Sequence, residues 1–242
     1  PADVDEQVIE ERSLVLHENG ETLSSWQPAP GFTGSFTGSE NGIFVQSYGT
    51  GTGWHGPGLI KAIDPIQDFE IEFLVNARTN KYDQTFRIST NYFDENMNEL
   101  GLLRLWDNSA YRNHKAVETR VGPYVGQHIN YPISSRNYNM LGQLVWYGLI
   151  RVIRKGNVFT FYVARIDQRG RHVDTLTQTF IDVNNQFTGR LKFIRFDIAK
   201  YAGTATATEV SINRIRVFKH NEIVEDQTPY IADVGDNFTF DH

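Results

Sequence analysis

The feature that most constrains the fold is a two-residue alternation of apolar and polar side chains. Its clearest run places apolar residues at every second position, at Phe69, Ile71, Phe73 and Val75. Because successive side chains of a strand point to opposite faces, this run predicts a strand with one buried face. The segment from Phe86 to Thr90 repeats the pattern and predicts a second strand.

Further strand-like segments follow along the chain, separated by turns rich in Gly, Asn and Asp. They are residues 100–106, 149–154, 158–166, 176–183, 190–199 and 209–219. The turn Lys155-Gly156-Asn157 joins two of them as a hairpin. Only Val4 to Arg12 has a helix-forming composition, and that segment is short. Many strands of this length joined by hairpin turns predict an antiparallel sandwich or barrel.

The length of the chain favours one large domain over two small ones. It has 242 residues, of which 40% are apolar, so it can bury a substantial core. We predict a single module over residues 1–242, with 1–25 and 228–242 as connecting segments. The start at Pro1, without an initiator Met or a signal segment, suggests a piece of a longer protein or a processed product.

Charge and composition exclude several classes of function. Lys and Arg number 23 and Asp and Glu 29, which gives a net charge of −6. This balance argues against nucleic acid as a partner, because binding to its backbone needs clustered positive charge. No apolar run approaches the ~20 residues that span a bilayer, so we expect no membrane partner. The absence of cysteine excludes disulfides, thiolate metal sites and cysteine nucleophiles.

Neither a metal nor a cofactor is expected. The seven histidines lack the close spacings of zinc sites. The acidic segment Asp94 to Glu99 lacks the register of a calcium loop. A glycine-rich run from Gly49 to Gly53 has neither the Lys-Ser/Thr nor the following helix of a phosphate loop.

Two carboxylates raise the question of glycoside hydrolysis. Glu70 and Glu72 lie on the same face of a predicted strand, about 6.6 Å apart at ~3.3 Å per residue. Glycosidases use two carboxyl groups about 5–9.5 Å apart. Laminarinase-like jelly-roll enzymes have a similar strand with a further acid shortly afterwards, whereas the segment Leu74 to Arg78 has none. We therefore predict no catalysis and keep a glycosidase using Glu70 and Glu72 as the alternative.

The distribution of aromatic types indicates a polar binding region. No Phe lies between Phe93 and Phe159, and the aromatic residues between them are all Trp or Tyr. Tyr and Trp combine an apolar ring with a hydrogen-bonding tip and suit wet surfaces. No long strand is predicted from Asn108 to about Leu144, and connections of that length are usually functional or disordered.

We predict that this region, with the strand ends beside it, binds a saccharide. The candidate residues are Trp106, Tyr111, Arg112, His114, Tyr124, Tyr131, Arg136 and Tyr138. The rings would stack on sugar faces, and the two arginines would donate to vicinal hydroxyls or a phosphate substituent. The excess of Arg and Lys over acids in this region suits an anionic wall polymer. The alternative is a long surface loop that packs its own tyrosines on the sandwich.

Several segments resemble a known family when read in order. They are Trp54-His55-Gly56-Pro57, Phe69-Glu70-Ile71-Glu72-Phe73, Leu105-Trp106-Asp107, Gly156-Asn157-Val158-Phe159 and the run from Ile212 to Lys219. This order, with the end from Pro229 to Asp241, resembles jelly-roll modules of siphophage tail-tip proteins. Among these modules it resembles the carbohydrate-binding module inserted in the enlarged ("evolved") distal tail proteins of lactobacillus phages.

The resemblance implies a jelly-roll, concanavalin- or lectin-like β-sandwich. It also implies adhesion to host cell-wall polysaccharide, a location at the virion tail tip, and a parent tail protein that forms a ring. We expect the isolated module to be a monomer, because a net charge of −6 and few long apolar edges disfavour self-association. A structural docking domain of the tail remains a further alternative to binding.

Overall fold

The computed structural model describes nine parts of the chain. They are residues 12–19, 25–39, 42–47, 54–80, 86–108, 114–122, 128–130, 143–201 and 208–221. Their regular elements are β-strands. No helix long and apolar enough to cross a membrane occurs among the described residues. The predicted helical segment Val4 to Arg12 lies outside the described residues except for Arg12, which begins the first strand.

The strands are numbered here in chain order. Their bounds are β1 (Arg12–Glu18), β2 (Gln27–Pro28), β3 (Ser35–Ser39), β4 (Gly42–Ser47), β5 (Trp54–His55), β6 (Gly58–Ile66), β7 (Phe69–Asn80), β8 (Phe86–Phe93), β9 (Glu99–Asn108), β10 (His114–Val121), β11 (His128–Asn130), β12 (Gln143–Lys155), β13 (Val158–Ile166), β14 (His172–Ile181), β15 (Leu191–Tyr201) and β16 (Thr208–His220).

These strands form two antiparallel sheets. Sheet A has the order β14-β13-β12-β7-β16-β4-β3, and β1 pairs with the half of β16 that β4 leaves free. Sheet B has the order β11-β10-β9-β8-β15-β6-β2, and β5 pairs with the end of β15. The prediction of an antiparallel sandwich is confirmed. Part of the predicted N-terminal connecting segment, 1–25, is strand β1 of sheet A.

The core lies between the two sheets, as the alternation in β7 predicts. Phe69, Ile71, Phe73 and Val75 are fully buried on the inner face of sheet A. The ring of Phe73 packs against that of Phe196 from sheet B, with 5.6 Å between the ring centroids. Burial of such side chains contributes about 1.5–3 kcal/mol each and holds the two sheets face to face.

Most of the predicted core residues are confirmed. Those buried are Phe69, Ile71, Phe73, Ile88, Phe159, Phe161 and Phe196. Phe193 was wrongly predicted to lie inside, since it is only partly buried and lies outside the core cluster. Phe193 and Phe196 are three residues apart in one strand, so they point to opposite faces. The side chain of Phe86 lies outside the described side chains.

The region from Asn108 to Leu144 contains two strands that the sequence pattern did not reveal. Strand β10 pairs with β9 from His114↔Asn108 to Val121↔Gly101, and β11 pairs with β10. Strand β10 was missed because it carries charged residues at alternate positions. Two of these, Glu118 and Arg120, form ion pairs with Arg104 and Glu99 of β9, so their charges are compensated within sheet B.

Candidate functional site

The outer face of sheet B, which points away from the core, carries a cluster of polar side chains. Strand alternation places them there, because the residues between them, such as Ile88, Leu103 and Phe196, fill the core. The cluster consists of Arg87, Ser89, Asn91, Arg104, Glu118, Arg195 and Asp197, and is called here the polar face of sheet B. Ser89, Asn91, Glu118 and Asp197 in this cluster are buried. Because buried polar groups usually have hydrogen-bond partners, the contacts within this cluster show which of its polar atoms are already engaged.

Arginine side chains bridge the strands of this face. Arg104 of β9 donates from Nε to Ser89 Oγ at 2.8 Å and from Nη1 to Glu118 Oε2 at 3.1 Å. It therefore connects β8 with β10 across its own strand. Arg195 of β15 places its Nε 3.6 Å from Asp197 Oδ2, which is too long for a hydrogen bond.

Asn91 and Arg195 each have a buried polar atom that forms no hydrogen bond with a described residue. They are direct partners in the β8–β15 register, and Asn91 is 1% exposed. Within the part of the chain that the structure describes, Asn91 Oδ1 and Arg195 Nε are buried without a hydrogen-bond partner. One is an acceptor and the other a donor, and both are enclosed by their neighbours.

Two aromatic rings flank the guanidinium group of Arg195. The rings of Phe32 and Phe93 each have their centroid 5.0 Å from Arg195 Cζ. Phe32 reaches this position because Gly58 beneath it has no side chain: a Cβ there would lie 2.9 Å from the ring. The rings hold the guanidinium plane in place through cation–π contacts.

Burial shifts the ionisation of two members of the polar face. It raises the pKa of Asp197, although the positive charges of Arg195, Arg87 and Arg104 oppose the shift. Burial also lowers the pKa of Arg87, and the neighbouring positive charge of Arg104 acts in the same direction. Both shifts reflect a site shielded from bulk water, where polar contacts are stronger than at an open surface.

The carboxylates Glu70 and Glu72 lie on the outer face of sheet A, on the opposite side of the sandwich. Glu70 is 5% exposed and contacts Arg12 at 3.0 Å, Arg151 at 3.2 Å and His220 at 3.4 Å. These contacts occupy both of its oxygens, so Glu70 is held beneath basic side chains.

Glu72 is more tightly enclosed than Glu70. It is 1% exposed and pairs with Arg151 at 3.1 Å, with Arg214 at 3.3 Å and with Arg216. Burial favours the neutral acid, but hydrogen bonds and positive charge from Arg216 and Arg151 outweigh it and hold the pKa of Glu72 below its usual value. Glu72 is therefore an ionised ion-pair partner.

The predicted saccharide-binding residues fall outside the described side chains. Trp106 lies in β9 and His114 begins β10, so their backbones are placed, but their side chains are not described. The remaining candidates lie outside the described residues: Tyr111, Arg112, Tyr124, Tyr131, Arg136 and Tyr138. In the chain they belong to the connections between β9, β10, β11 and β12, the first three of which are neighbours in sheet B. Their role stays a prediction.

The polar face of sheet B was missed at the level of sequence. The alternation of Arg87, Ser89 and Asn91 with Ile88 and Thr90 was visible, but a polar strand face normally points to water. The partner of Ser89 and Glu118 is Arg104, which comes from a neighbouring strand and is 14–15 residues away in the sequence. A run of planar polar side chains facing away from the core is the signal that could have identified it.

The described side chains do not form a metal site. No group of three or more His, Asp or Glu residues is gathered there closely enough to hold an ion. The polar face of sheet B is mixed in charge, with arginines lying against its two carboxylates, and this arrangement suits hydrogen bonding to a neutral or anionic organic ligand.

No protein-family model and no curated protein sequence matches the chain. Solved structures of similar shape do exist. The CBM2 module of the Lactobacillus casei BL23 phage J-1 evolved Dit superposes with a TM-score of 0.66 at 17% identity, over 87% of this chain and 96% of that module.

Two further solved structures are similar. The laminarinase catalytic domain from Thermotoga maritima MSB8 has a TM-score of 0.58 at 12% identity, over 88% of this chain and all of the other (100%). Lectin I from Ulex europaeus has a TM-score of 0.56 at 9% identity, over 86% and 97%. These similarities establish the fold: the chain is a jelly-roll β-sandwich of the concanavalin or lectin-like type, as predicted.

Proposed function

We propose that this chain is a non-catalytic carbohydrate-binding module that adheres to cell-wall polysaccharide through the polar face of sheet B. The observation that carries the proposal is the pair Asn91 Oδ1 and Arg195 Nε, a buried acceptor and a buried donor without a hydrogen-bond partner among the described residues, the donor lying 3.6 Å from the carboxylate of Asp197. A hydroxyl group both accepts and donates hydrogen bonds, so one sugar hydroxyl would satisfy both atoms once the side chains that enclose them move aside. A polysaccharide offers such groups at regular intervals.

The surroundings of this pair support a saccharide ligand. Phe32 and Phe93 hold Arg195 in one plane, which lowers the conformational entropy lost on binding. Arg104 and Arg195 are partly exposed members of the polar face, with 20% and 24% of their side chains accessible, so a ligand can reach their donors. Planar donors in fixed positions match adjacent hydroxyl groups on a sugar ring.

The contacts of the two glutamates support binding without hydrolysis. A glycosidase needs one carboxyl group that can donate a proton and a second that reaches the substrate. Glu72 is ionised and covered by three arginines, and the next residue on the same strand face is Leu74. Glu70 is likewise engaged by basic side chains. The glycosidase alternative has the shared fold in its favour, and no described feature of these two residues adds to it.

We further propose that the module acts at the tail tip of a bacteriophage, as part of a distal tail protein. The similarity in fold to a module of an evolved Dit supports this placement, as does the order of the sequence segments quoted above. In a ring of such proteins many copies would act together, and linked sites can gain about 10²–10⁴ in avidity. Weak binding by each module is then sufficient for attachment to a host.

One experiment tests binding and catalysis together. The chain is incubated with purified bacterial wall polysaccharides, and the bound protein and released reducing ends are measured in the same samples. We expect retention on at least one polysaccharide with no increase in reducing ends. Release of reducing ends that Glu72→Gln abolishes would favour the glycosidase, whereas absence of binding to all wall polysaccharides and host cells would favour a docking domain.

A further inference from the structure

The outer face of sheet A presents arginines to solvent above buried carboxylates. The side chains of Arg12, Arg151, Arg214 and Arg216 are between 28% and 45% exposed, whereas those of Glu70 and Glu72 are 7% and 1% exposed. The arginines therefore form the layer that a ligand would meet. These four side chains are called here the arginine layer.

The arginine layer carries more positive charge than the carboxylates beneath it can balance. Four arginines lie above two glutamates, which leaves an excess of 4 − 2 = 2 positive charges among these described side chains. The whole chain has a net charge of −6, so this face differs in sign from the molecule as a whole. Such a patch attracts anions and holds them by hydrogen bonds at close range.

Contacts below and beside the arginines fix their positions. Glu72 binds Arg151, Arg214 and Arg216 from two strands on either side of β7. The ring of Phe218 has Arg12 Cζ 4.2 Å and Arg216 Cζ 5.4 Å from its centroid. Side chains that are already ordered lose little entropy when they bind a ligand.

The chemistry of this layer differs from that of the polar face of sheet B. A guanidinium group offers five N–H donors and no acceptor, and the acceptor oxygens of Glu70 and Glu72 are engaged from above. A surface with donors only, in an ordered array with excess positive charge, matches planar or tetrahedral oxyanions better than neutral hydroxyls.

We propose that the arginine layer is a second binding surface, which takes a polymer bearing repeated, singly charged oxyanions. The groups it would contact are phosphodiesters or carboxylates along an anionic wall polymer. This surface lies on the opposite sheet from Asn91 and Arg195 and does not depend on the proposed saccharide site. Two surfaces of different chemistry would let one module contact a neutral and an anionic polymer.

The test compares two charge-matched double variants of the intact chain. Arg12→Gln with Arg214→Gln removes two charges from the arginine layer, at its two most exposed positions. Arg169→Gln with Arg171→Gln removes two charges from the exposed turn between β13 and β14. The probes are poly(glycerol phosphate), polygalacturonate, neutral dextran and a short DNA duplex, and thermal melting is recorded for every variant.

We expect the unmodified chain to bind poly(glycerol phosphate), polygalacturonate or both, more weakly at high salt, and not to bind dextran through this face. The arginine-layer variant should bind about tenfold more weakly, and the turn variant as well as the unmodified chain. If the double variant melts early, the single variant Arg214→Gln should still show a loss of about threefold.

Three results would overturn the proposal. They are absence of binding to both anionic polymers, an equal loss in the two double variants, and binding to the DNA duplex as tight as to the anionic polymers. Asn91→Leu separates this surface from the proposed saccharide site. That variant should keep its affinity for the anionic polymers even where it no longer binds the wall polysaccharide, and loss of both would contradict two independent surfaces.

Discussion

Asn91 of β8 and Arg195 of β15 face each other directly across sheet B, and each has a buried polar atom that no described residue bonds. The large majority of buried side-chain polar atoms in folded proteins have a partner, and each unpaired one costs about 1–3 kcal/mol. Two such atoms of opposite hydrogen-bonding type lie on directly paired residues of sheet B, and the proposed ligand would supply the missing hydrogen bonds.

Replacement of Arg195 by lysine should weaken saccharide binding. Arg195→Lys keeps the positive charge but removes the Nε donor and the flat group between Phe32 and Phe93. We expect affinity for the wall polysaccharide to fall about tenfold and stability by about 1 kcal/mol. Calorimetric titration and thermal melting measure the two effects. Arg190→Lys, at an exposed ion pair with Glu95, is the matched control and should change neither. Equal affinity in both variants would remove Arg195 from the site.

Replacement of Glu72 should affect stability and leave binding intact. Glu72→Gln removes the charge shared by Arg151, Arg214 and Arg216, and because these arginines stay partly exposed to solvent the loss should cost about 1.5–3 kcal/mol, the range for hydrogen bonds to a charged group. We expect a lower urea midpoint near neutral pH and unchanged retention on wall polysaccharide. Unchanged stability would show that the ion pairs contribute little.

The same glutamate predicts how stability depends on pH. The pKa of Glu72 in the folded chain lies below its usual value near 4.5, because Arg216 and Arg151 outweigh the effect of burial. Its contribution to stability is therefore present above about pH 4.5 and is lost as the pH falls through the lowered value. Urea unfolding across this acidic range should show a steeper loss for the unmodified chain than for Glu72→Gln. Parallel curves would contradict the assignment.

Two phenylalanines of β15 provide a matched test of the sandwich register. Phe196 is fully buried against Phe73, whereas Phe193 lies on the outer face and is partly buried. Phe196→Ala should cost about 3–5 kcal/mol, and Phe193→Ala clearly less. The free energies of unfolding from urea titration decide between them. A larger loss for Phe193→Ala would mean that the strand presents its other face to the core.

The aromatic residues predicted from sequence need a test of their own. Tyr124, Tyr131 and Arg136 lie outside the described residues, so separate Ala variants are informative. We expect each to reduce binding to host cells without a change in melting temperature, because Tyr and Arg at such positions act as contact residues. Full binding by all three variants would restrict the saccharide site to the polar face of sheet B.

The fold was largely predictable because burial of one face of a strand produces an alternation of apolar and polar residues in the sequence. In β7 the inner residues Phe69, Ile71 and Phe73 alternate with outer ones, and the structure confirms this order. Strand β10 was not predictable in the same way. Its outer positions carry Glu118 and Arg120, whose ion-pair partners Arg104 and Glu99 come from another strand. The local sequence pattern alone therefore predicts a polar loop.

The candidate site was much less predictable than the fold. Asn91 and Arg195 are far apart in the sequence and meet only through the β8–β15 pairing. Their unpaired atoms are a property of burial and geometry, which no residue type indicates by itself. The carboxylates Glu70 and Glu72 were visible in the sequence, and their spacing resembles that of a catalytic strand. The arginines that cover the two carboxylates come from β1, β12 and β16, so their ion pairs could not be predicted from the local sequence.

The most direct measurement is a titration of Asn91→Leu with a wall polysaccharide that the unmodified chain binds. Leucine has the same number and branching of heavy atoms as asparagine but no polar group, so it removes the buried acceptor that lacks a partner, and its methyl groups take up more space. We expect binding to be lost while the chain still unfolds cooperatively, whereas Asn76→Leu, an exposed site on sheet A, should bind fully. Full affinity of Asn91→Leu for the polysaccharide would contradict the proposed site.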